Sequence, residues 1–191
     1  YVESSHEGEL AELFMDPQWQ HTELLVLGGG SNVLLVNDFD GLVIRMNIRG
    51  IEHRLSHTDV FVEAGAGEVW NDLVNYCVVH EYAGLENLSL IPGSVGASPI
   101  QNIGAYGVEL KDVFDSCRAF EIATGQFKIF SKADCGFGYR ESVFKTTLKG
   151  QYIIVSVKFH LSLIPNLNLR YGAIEQELQN RGITEPGIKE V

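Results

Sequence analysis

A run of 22 residues without a single charge, Asn87 to Val108, constrains this 191-residue chain more than any other feature. A neutral stretch of that length invites a membrane-spanning helix. Four glycines and two prolines inside it argue against one, since both residues break helices. The run therefore reads as a buried or ligand-lining loop, and structureless loops of this length are uncommon unless they carry function. Its small residues let backbone wrap closely around a ligand. Ser94, Ser98, Gln101 and Asn102 offer donors and acceptors, while Ile91, Val95 and Ile103 offer an apolar wall. That mixture suits a flat cofactor with both an apolar ring and a pyrophosphate. A buried Ω-type loop is the other reading of the same residues.

A second glycine-rich element, Gly28-Gly29-Gly30-Ser31-Asn32, follows the apolar run Leu24 to Leu27. Consecutive glycines permit positive φ and close approach, and successive N–H groups can form an anion-binding concavity. The loop is not a phosphate-binding P-loop, because no Gly-Lys-Ser/Thr closes it. Nor is it a dinucleotide fingerprint: Val33 stands where the third glycine belongs, and a strand is expected where a helix should start. From its residues alone, a tight turn and a phosphate cradle are equally open.

Two shorter elements could carry chemistry. In Phe137-Gly138-Tyr139-Arg140-Glu141-Ser142, Arg140 could present a guanidinium fork to a carboxylate or phosphate. Taken alone, a surface Arg paired with Glu141 is the plainer reading. In Leu169-Arg170-Tyr171-Gly172, Tyr171 either offers its hydroxyl to a ligand or packs at a turn. The six histidines show no H-E-x-x-H spacing, and His53 and His57 fall in a segment that reads as loop or strand, so no metal site is expected. No G-x-S-x-G is present to support a hydrolase elbow.

Periodicity supplies the elements. Leu10, Leu13 and Phe14 give a short helix over Glu7 to Phe14. Leu24 to Leu27, Val33 to Val36 and Leu42 to Met46 read as strands, and Val60 to Ala64 as a fourth. From Glu68 to His80 the apolar residues recur at three and four, which predicts an amphipathic helix. Phe114 to Ile122, Gln126 to Phe130 and Tyr152 to Leu161 read as strands, and Ala173 to Arg181 as a polar helix. Helices do not alternate regularly with strands, so the expected class is α+β rather than doubly wound. The expected division places residues 1–54 in one subdomain and 55–191 in another.

The net charge of -11, from 14 Lys/Arg and 25 Asp/Glu, argues against nucleic acid or an anionic membrane as the main partner. A phosphorylated ligand stays open, because backbone N–H groups and one or two local cations suffice to hold it. Cys77, Cys117 and Cys135 are too few and scattered for a disulfide framework and read as reduced thiols of a cytoplasmic protein. The chain opens at Tyr1 without Met and ends at Val191 in polar sequence, so both ends are expected to be cut points.

The segments Leu27 to Asn32, Gly84 to Gly107, Phe137 to Ser142 and Leu169 to Gly172, in that order, resemble the UDP-N-acetylenolpyruvoylglucosamine reductases of peptidoglycan precursor synthesis. The resemblance covers nearly the whole chain. It implies an FAD-binding fold of the vanillyl-alcohol-oxidase/PCMH type with two subdomains around the cofactor. It also implies NADPH as reductant, UDP-N-acetylglucosamine enolpyruvate as substrate, and a monomeric enzyme. By matching motif, Gly28, Gly29, Gly30, Ser31 and Asn32 would hold the FAD pyrophosphate region. So would Ile91, Pro92, Gly93, Ser94, Ser98, Ile103, Gly104, Ala105 and Tyr106, with Tyr139 beside the cofactor. Arg140 matches the family's catalytic arginine near the substrate carboxylate, and Tyr171 a substrate-contacting tyrosine. The family's proton-donating Ser and catalytic Glu, and its third, substrate-binding domain, are expected beyond residue 191. The chain as given is therefore expected to be inactive and to retain FAD weakly or not at all. A flavin oxidase of the same fold, or a binding module that holds FAD or a nucleotide sugar, is the competing reading.

Overall fold

The computed structural model describes residues 1–172 and 174–191, with Gln20 described by its backbone only. Two sheets organise the chain. The first is a three-stranded parallel sheet of β1 (Val2–Ser4), β2 (Leu24–Leu27) and β3 (Leu42–Met46), in the order β1-β3-β2. Helix α1 (Glu7–Phe14) follows β1, and the short α2 (Pro17–Gln20) precedes β2. The Glu9 carboxylate accepts from the N–H groups of Ser5 and His6 at 2.6 and 3.4 Å, satisfying donors that a helix start otherwise leaves orphaned.

The second sheet is antiparallel. It contains β4 (Ile51–Ser56), β5 (Asp59–Gly65), β8 (Phe114–Glu121), β9 (Gln126–Ser131) and β10 (Tyr152–Ser162), in the order β4-β5-β10-β8-β9. Helix α3 (Trp70–Val79) buries Trp70, Leu73, Val74 and Cys77, one stripe at helical spacing. The Trp70 Nε1–H donates to the Leu88 carbonyl at 2.8 Å and so ties α3 to the start of the neutral loop.

Both faces of this sheet are covered, and β10 shows how. Ile154, Val157, Phe159 and Leu161 join the larger core, with Val60, Val62 and Ala64 of β5 and the stripe of α3. Ile153 and Val155 join a smaller core with Leu10, Phe14, Ile44 and Met46 of the first sheet and its helix. Strict alternation would place Val155 and Val157 on one face. A register shift between Ile154 and Ser156 changes the parity, so the two valines serve opposite cores.

The neutral loop is built from short pieces: 3-10 turns at Glu86–Leu88 and Val95–Ala97, and a two-stranded ribbon of β6 (Gly104–Ala105) and β7 (Val108–Glu109), with a further 3-10 turn at Leu110–Asp112 just after it. Helix α4 (Ile174–Asn180) follows; the expected helix start at Ala173 lies outside the described residues. Among the described residues no helix is long and apolar enough to cross a membrane.

Two expectations need correction. Val33 to Val36 is not a strand: the run follows the glycine loop into the open and joins no sheet, so its apolar side chains bury no face. Its side chains are left in the open, with Leu34 85% exposed. Of the two readings left open for the segment around His53, loop or strand, the structure shows a strand, Ile51–Ser56. It lies at the edge of the sheet with four consecutive residues exposed, so no alternation marks it. The expected division after residue 54 would cut through β4; the change of sheet lies between Met46 and Ile51.

Candidate functional site

The first glycine loop leaves the end of β2, and the neutral loop crosses in front of it. Together they line a cleft of about 310 Å³, whose walls include Gly28 to Val33, Gly93, Ser94 and Gln101. Contact between the loops is close. A Cβ built on Gly28 would stand 1.9 Å from Ser94 Oγ, and one on Gly93 would stand 3.5 Å from Ser31 Oγ. Glycine at position 28 is therefore a packing requirement imposed by the second loop.

The cleft is rich in unused donors. The backbone N–H groups of Gly29, Gly30, Ser31 and Asn32 donate to no acceptor among the described residues. On the facing loop, the Trp70 and Val95 N–H groups donate to the carbonyls of Gly93 and Glu68, both at 2.9 Å. That pairing turns the Ser94 N–H away from its bridge partner Val69. The Ser94 hydroxyl, on a residue 7% exposed, also makes no hydrogen bond among the described residues. The loop residues Gly29 to Asn32 are exposed, so their N–H groups face solvent and are accessible to a ligand. Here two sets of unpaired donors line one concavity, the arrangement that binds an anion through backbone.

An adjoining cleft, also about 310 Å³, shares Val26, Gly28, Ser94, Ala97 and Ile100 with the first and continues between the two sheets. Its further wall is largely apolar, with Leu24, Met46, Phe144 and Ile154, and also carries Lys149 and Tyr152. A donor-lined cleft therefore opens into a space fit for a flat ring system. A larger cleft, about 440 Å³, lies elsewhere, between Glu86, Asn87, Ser89, Leu90, Tyr106 and α4, and none of the glycines lines it.

The other expected residues are dispersed. Ile91 packs on the larger core and Ile103 belongs to it. Pro92 leads into Gly93. Ser98 Oγ is spent on the Val95 carbonyl at 2.7 Å, inside its own turn. Gly104, Ala105 and Tyr106 form the tip of the β6–β7 ribbon and do not line the two adjoining clefts. At that tip the Arg140 guanidinium Nη2 donates to the Gly104 carbonyl, and the Tyr171 ring stands edge-on to Tyr106, centroids 6.2 Å apart. Arg140 forms no ion pair with Glu141; the Gly138–Glu141 segment closes on itself through a backbone bridge. Tyr139 is 85% exposed, its ring centroid 5.9 Å from the Arg140 guanidinium carbon.

The Arg140 segment is held in a defined shape. Asn102, fully buried, donates to the Gly138 carbonyl at 2.9 Å and accepts from the Lys111 N–H at 3.0 Å. Ser142 Oγ donates to the Ile100 carbonyl at 2.7 Å. Leu90, Asn102, Tyr106 and Arg140 all have positive φ, between 43° and 61°. For residues other than glycine such backbone persists only where the surroundings impose it, and it concentrates at functional sites.

Lys145 escaped the sequence reading. It lines the donor-rich cleft, and its Nζ donates to the Arg140 carbonyl at 3.0 Å. Nothing in the local sequence marks it, since its place depends on the fold bringing residues 100 and 145 together. The thiols are chemically quiet: burial, with Glu86 adding to it, pushes Cys77 up to about 12. Among the described residues no group of three or more His, Cys, Asp or Glu could hold a metal. His53 sits in β4 with its ring nitrogen 2.8 Å from the Tyr76 hydroxyl.

Residues 1–130 match the FAD binding domain family. Curated relatives are close in sequence. The UDP-N-acetylenolpyruvoylglucosamine reductase of Amoebophilus asiaticus is 55% identical over 155 residues, covering 81% of this chain and 46% of that protein. The enzyme of the same name from Neisseria gonorrhoeae is 51% identical over 171 residues, covering 87% and 49%. The chain thus spans about half the length of these relatives. In solved structures the fold recurs in UDP-N-acetylenolpyruvylglucosamine reductase from Thermus caldophilus, with TM-score 0.63 and 23% identity, covering 95% of this chain and 59% of that one. It recurs also in cholesterol oxidase from Brevibacterium sterolicum, with TM-score 0.61 and 14% identity, covering 84% and 34%. At those identities the likeness shows the fold alone, an FAD-binding fold of the PCMH type.

Proposed function

The chain belongs to the FAD binding domain family, and from that membership we propose that this protein is an FAD-dependent, NADPH-driven reductase of UDP-N-acetylglucosamine enolpyruvate, acting in peptidoglycan precursor synthesis. One observation carries the cofactor half of the reading. Two glycine-containing loops, far apart in sequence, turn unpaired N–H groups into one cleft that opens onto a largely apolar space. The substrate half rests on the identity to the reductases.

The roles follow from position. Gly28 to Asn32, Gly93 and Ser94 would hold the diphosphate through backbone and hydroxyl donors. Val26, Met46, Phe144 and Ile154 would flank a ring system. The flavin, when bound, supplies two-electron transfer from the nicotinamide to the enolpyruvyl double bond. Arg140 would stabilise charge that develops next to the substrate carboxylate, with preorganised geometry as the source of the effect. Tyr171 would contact substrate, and Tyr139 would stand beside the cofactor. Ile91, Pro92, Ser98, Ile103, Gly104, Ala105 and Tyr106 would shape the loop that presents Ser94 and Arg140. The reduced thiols fit a cytoplasmic enzyme, and the resemblance to the reductases implies a monomer.

The test is a titration of the purified chain with FAD, followed by visible absorbance and quenching of flavin fluorescence. Weak binding, visible only at high flavin concentration, is expected. An unchanged flavin spectrum at millimolar concentrations would refute the reading.

A further inference from the structure

We infer that Lys145 is a cofactor-positioning residue: it meets the diphosphate in the glycine cleft while holding the backbone of Arg140, so that one ammonium joins the cofactor site to the catalytic arginine. The inference rests on the FAD reading above and goes beyond it in assigning a residue and a linkage.

Four observations lead there. Lys145, a solvent-exposed residue, is the one charged side chain among the described residues that line the donor-rich cleft. No carboxylate pairs with it among the described residues, although the chain carries a net charge of -11. A cation left without an acidic neighbour on an acidic protein, beside uncapped N–H groups, is matched to an anion that comes from outside. Its protein contact is the carbonyl of Arg140, a residue at φ 54°. An ammonium has three donors, so one bond to that carbonyl leaves others for phosphate oxygens.

The chain geometry explains the pairing. Ser142 Oγ binds the Ile100 carbonyl, which brings the segment after Arg140 across the neutral loop where Ile100 and Gln101 line the cleft. Lys145 then lies between two places that share no residue, the glycine cradle and the ribbon tip where Arg140 meets Gly104. A diphosphate that draws on the Lys145 ammonium also fixes where the Arg140 carbonyl can sit. Loading of the cofactor and placement of the guanidinium are thereby linked.

The experiment compares wild type, Lys145→Met and Lys145→Arg for binding of FAD and of riboflavin, which has no phosphate, across a salt series. Lys145→Met is expected to weaken FAD by roughly ten- to a hundredfold, the worth of one charge-assisted hydrogen bond. It should leave riboflavin within about twofold and flatten the salt dependence of FAD affinity. Lys145→Arg should recover most of the FAD affinity. A second readout is trypsin cleavage after Arg140: FAD should protect that bond in wild type and protect it less in Lys145→Met. Equal weakening of FAD and riboflavin would make Lys145 a merely structural residue and overturn the inference. Unchanged FAD affinity in Lys145→Met would overturn it alone, whereas a wild type that binds no FAD would take the reading above down with it.

Discussion

Replacing Gly28 by Ala is the sharpest perturbation of the site, because its cost can be worked from contacts. The added Cβ would stand 1.9 Å from Ser94 Oγ and 2.9 Å from Ser94 Cβ. Gly28 does not have the positive φ of Gly30, so alanine meets no backbone penalty there. Rotation of Ser94 can carry its hydroxyl away, but the carbon–carbon contact remains, about 0.6 Å or more inside the ordinary 3.5–4.0 Å separation. The two loops must part by that amount. Overpacking of this kind costs about 1–3 kcal/mol. At about 2–4 °C per kcal/mol for a domain of this size, Tm should fall by roughly 2–12 °C. FAD binding should weaken more than the fall in stability implies, roughly ten- to a hundredfold, because donors on both loops leave register with the diphosphate. Thermal unfolding and FAD titration of Gly28→Ala, Ser94→Gly and the double variant form the test. Removing the Ser94 side chain should relieve the clash, giving a coupling of at least about 1 kcal/mol, above the ~0.5 kcal/mol scatter of independent sites. Additive effects, or an unchanged Gly28→Ala protein, would show that the loops do not meet as described.

Gly30→Ala makes the contrast: a Cβ there meets nothing within 4 Å, but φ is 70°, so a loss of about 1 kcal/mol is expected with no coupling to Ser94. Asn102→Ala should cost about 2–4 kcal/mol in urea unfolding, since it strands the Gly138 carbonyl and the Lys111 N–H in a buried setting; a loss under ~1 kcal/mol would count against its role as the fastener of the Arg140 segment. Alkali should destabilise the fold. Burial raises the folded Cys77 thiol to about 12, whereas the unfolded thiol ionises near 8.5–9, so between those values the unfolded state holds fewer protons and stability falls as pH rises. The slope is about 1.4 kcal/mol per pH unit for this thiol, and Cys117, raised by its bond to Cys135 and by burial, acts in the same direction. Urea midpoints at pH 8 and pH 10 check the effect, and Cys77→Ala should remove about one such slope.

Much of the architecture was legible from pattern. Glu7–Phe14 and Leu42–Met46 fall where spacing and apolar runs put them, because each buries a face, and Leu24–Leu27 falls where its apolar run puts it. The same logic fell short where burial did not follow pattern. Val33 to Val36 reads as a strand but joins no sheet, and polar Ile51–Ser56, left open between loop and strand by its sequence, pairs with β5 because that edge is open. The glycine loops were recognisable as backbone able to approach a ligand. Ser98 was not recognisable as turned inward onto the Val95 carbonyl. Lys145 carried no local signal at all.

Sequence alone determined the two stretches of chain that could grip a phosphate, since glycine content and the absence of charge are properties of the residues. Only the tertiary structure decided that Gly28 lies against Ser94, that Lys145 faces the same cleft and that Arg140 stands at the ribbon tip. Those juxtapositions join residues tens of positions apart. They are fixed by the packing of two sheets on shared cores, which no local preference encodes.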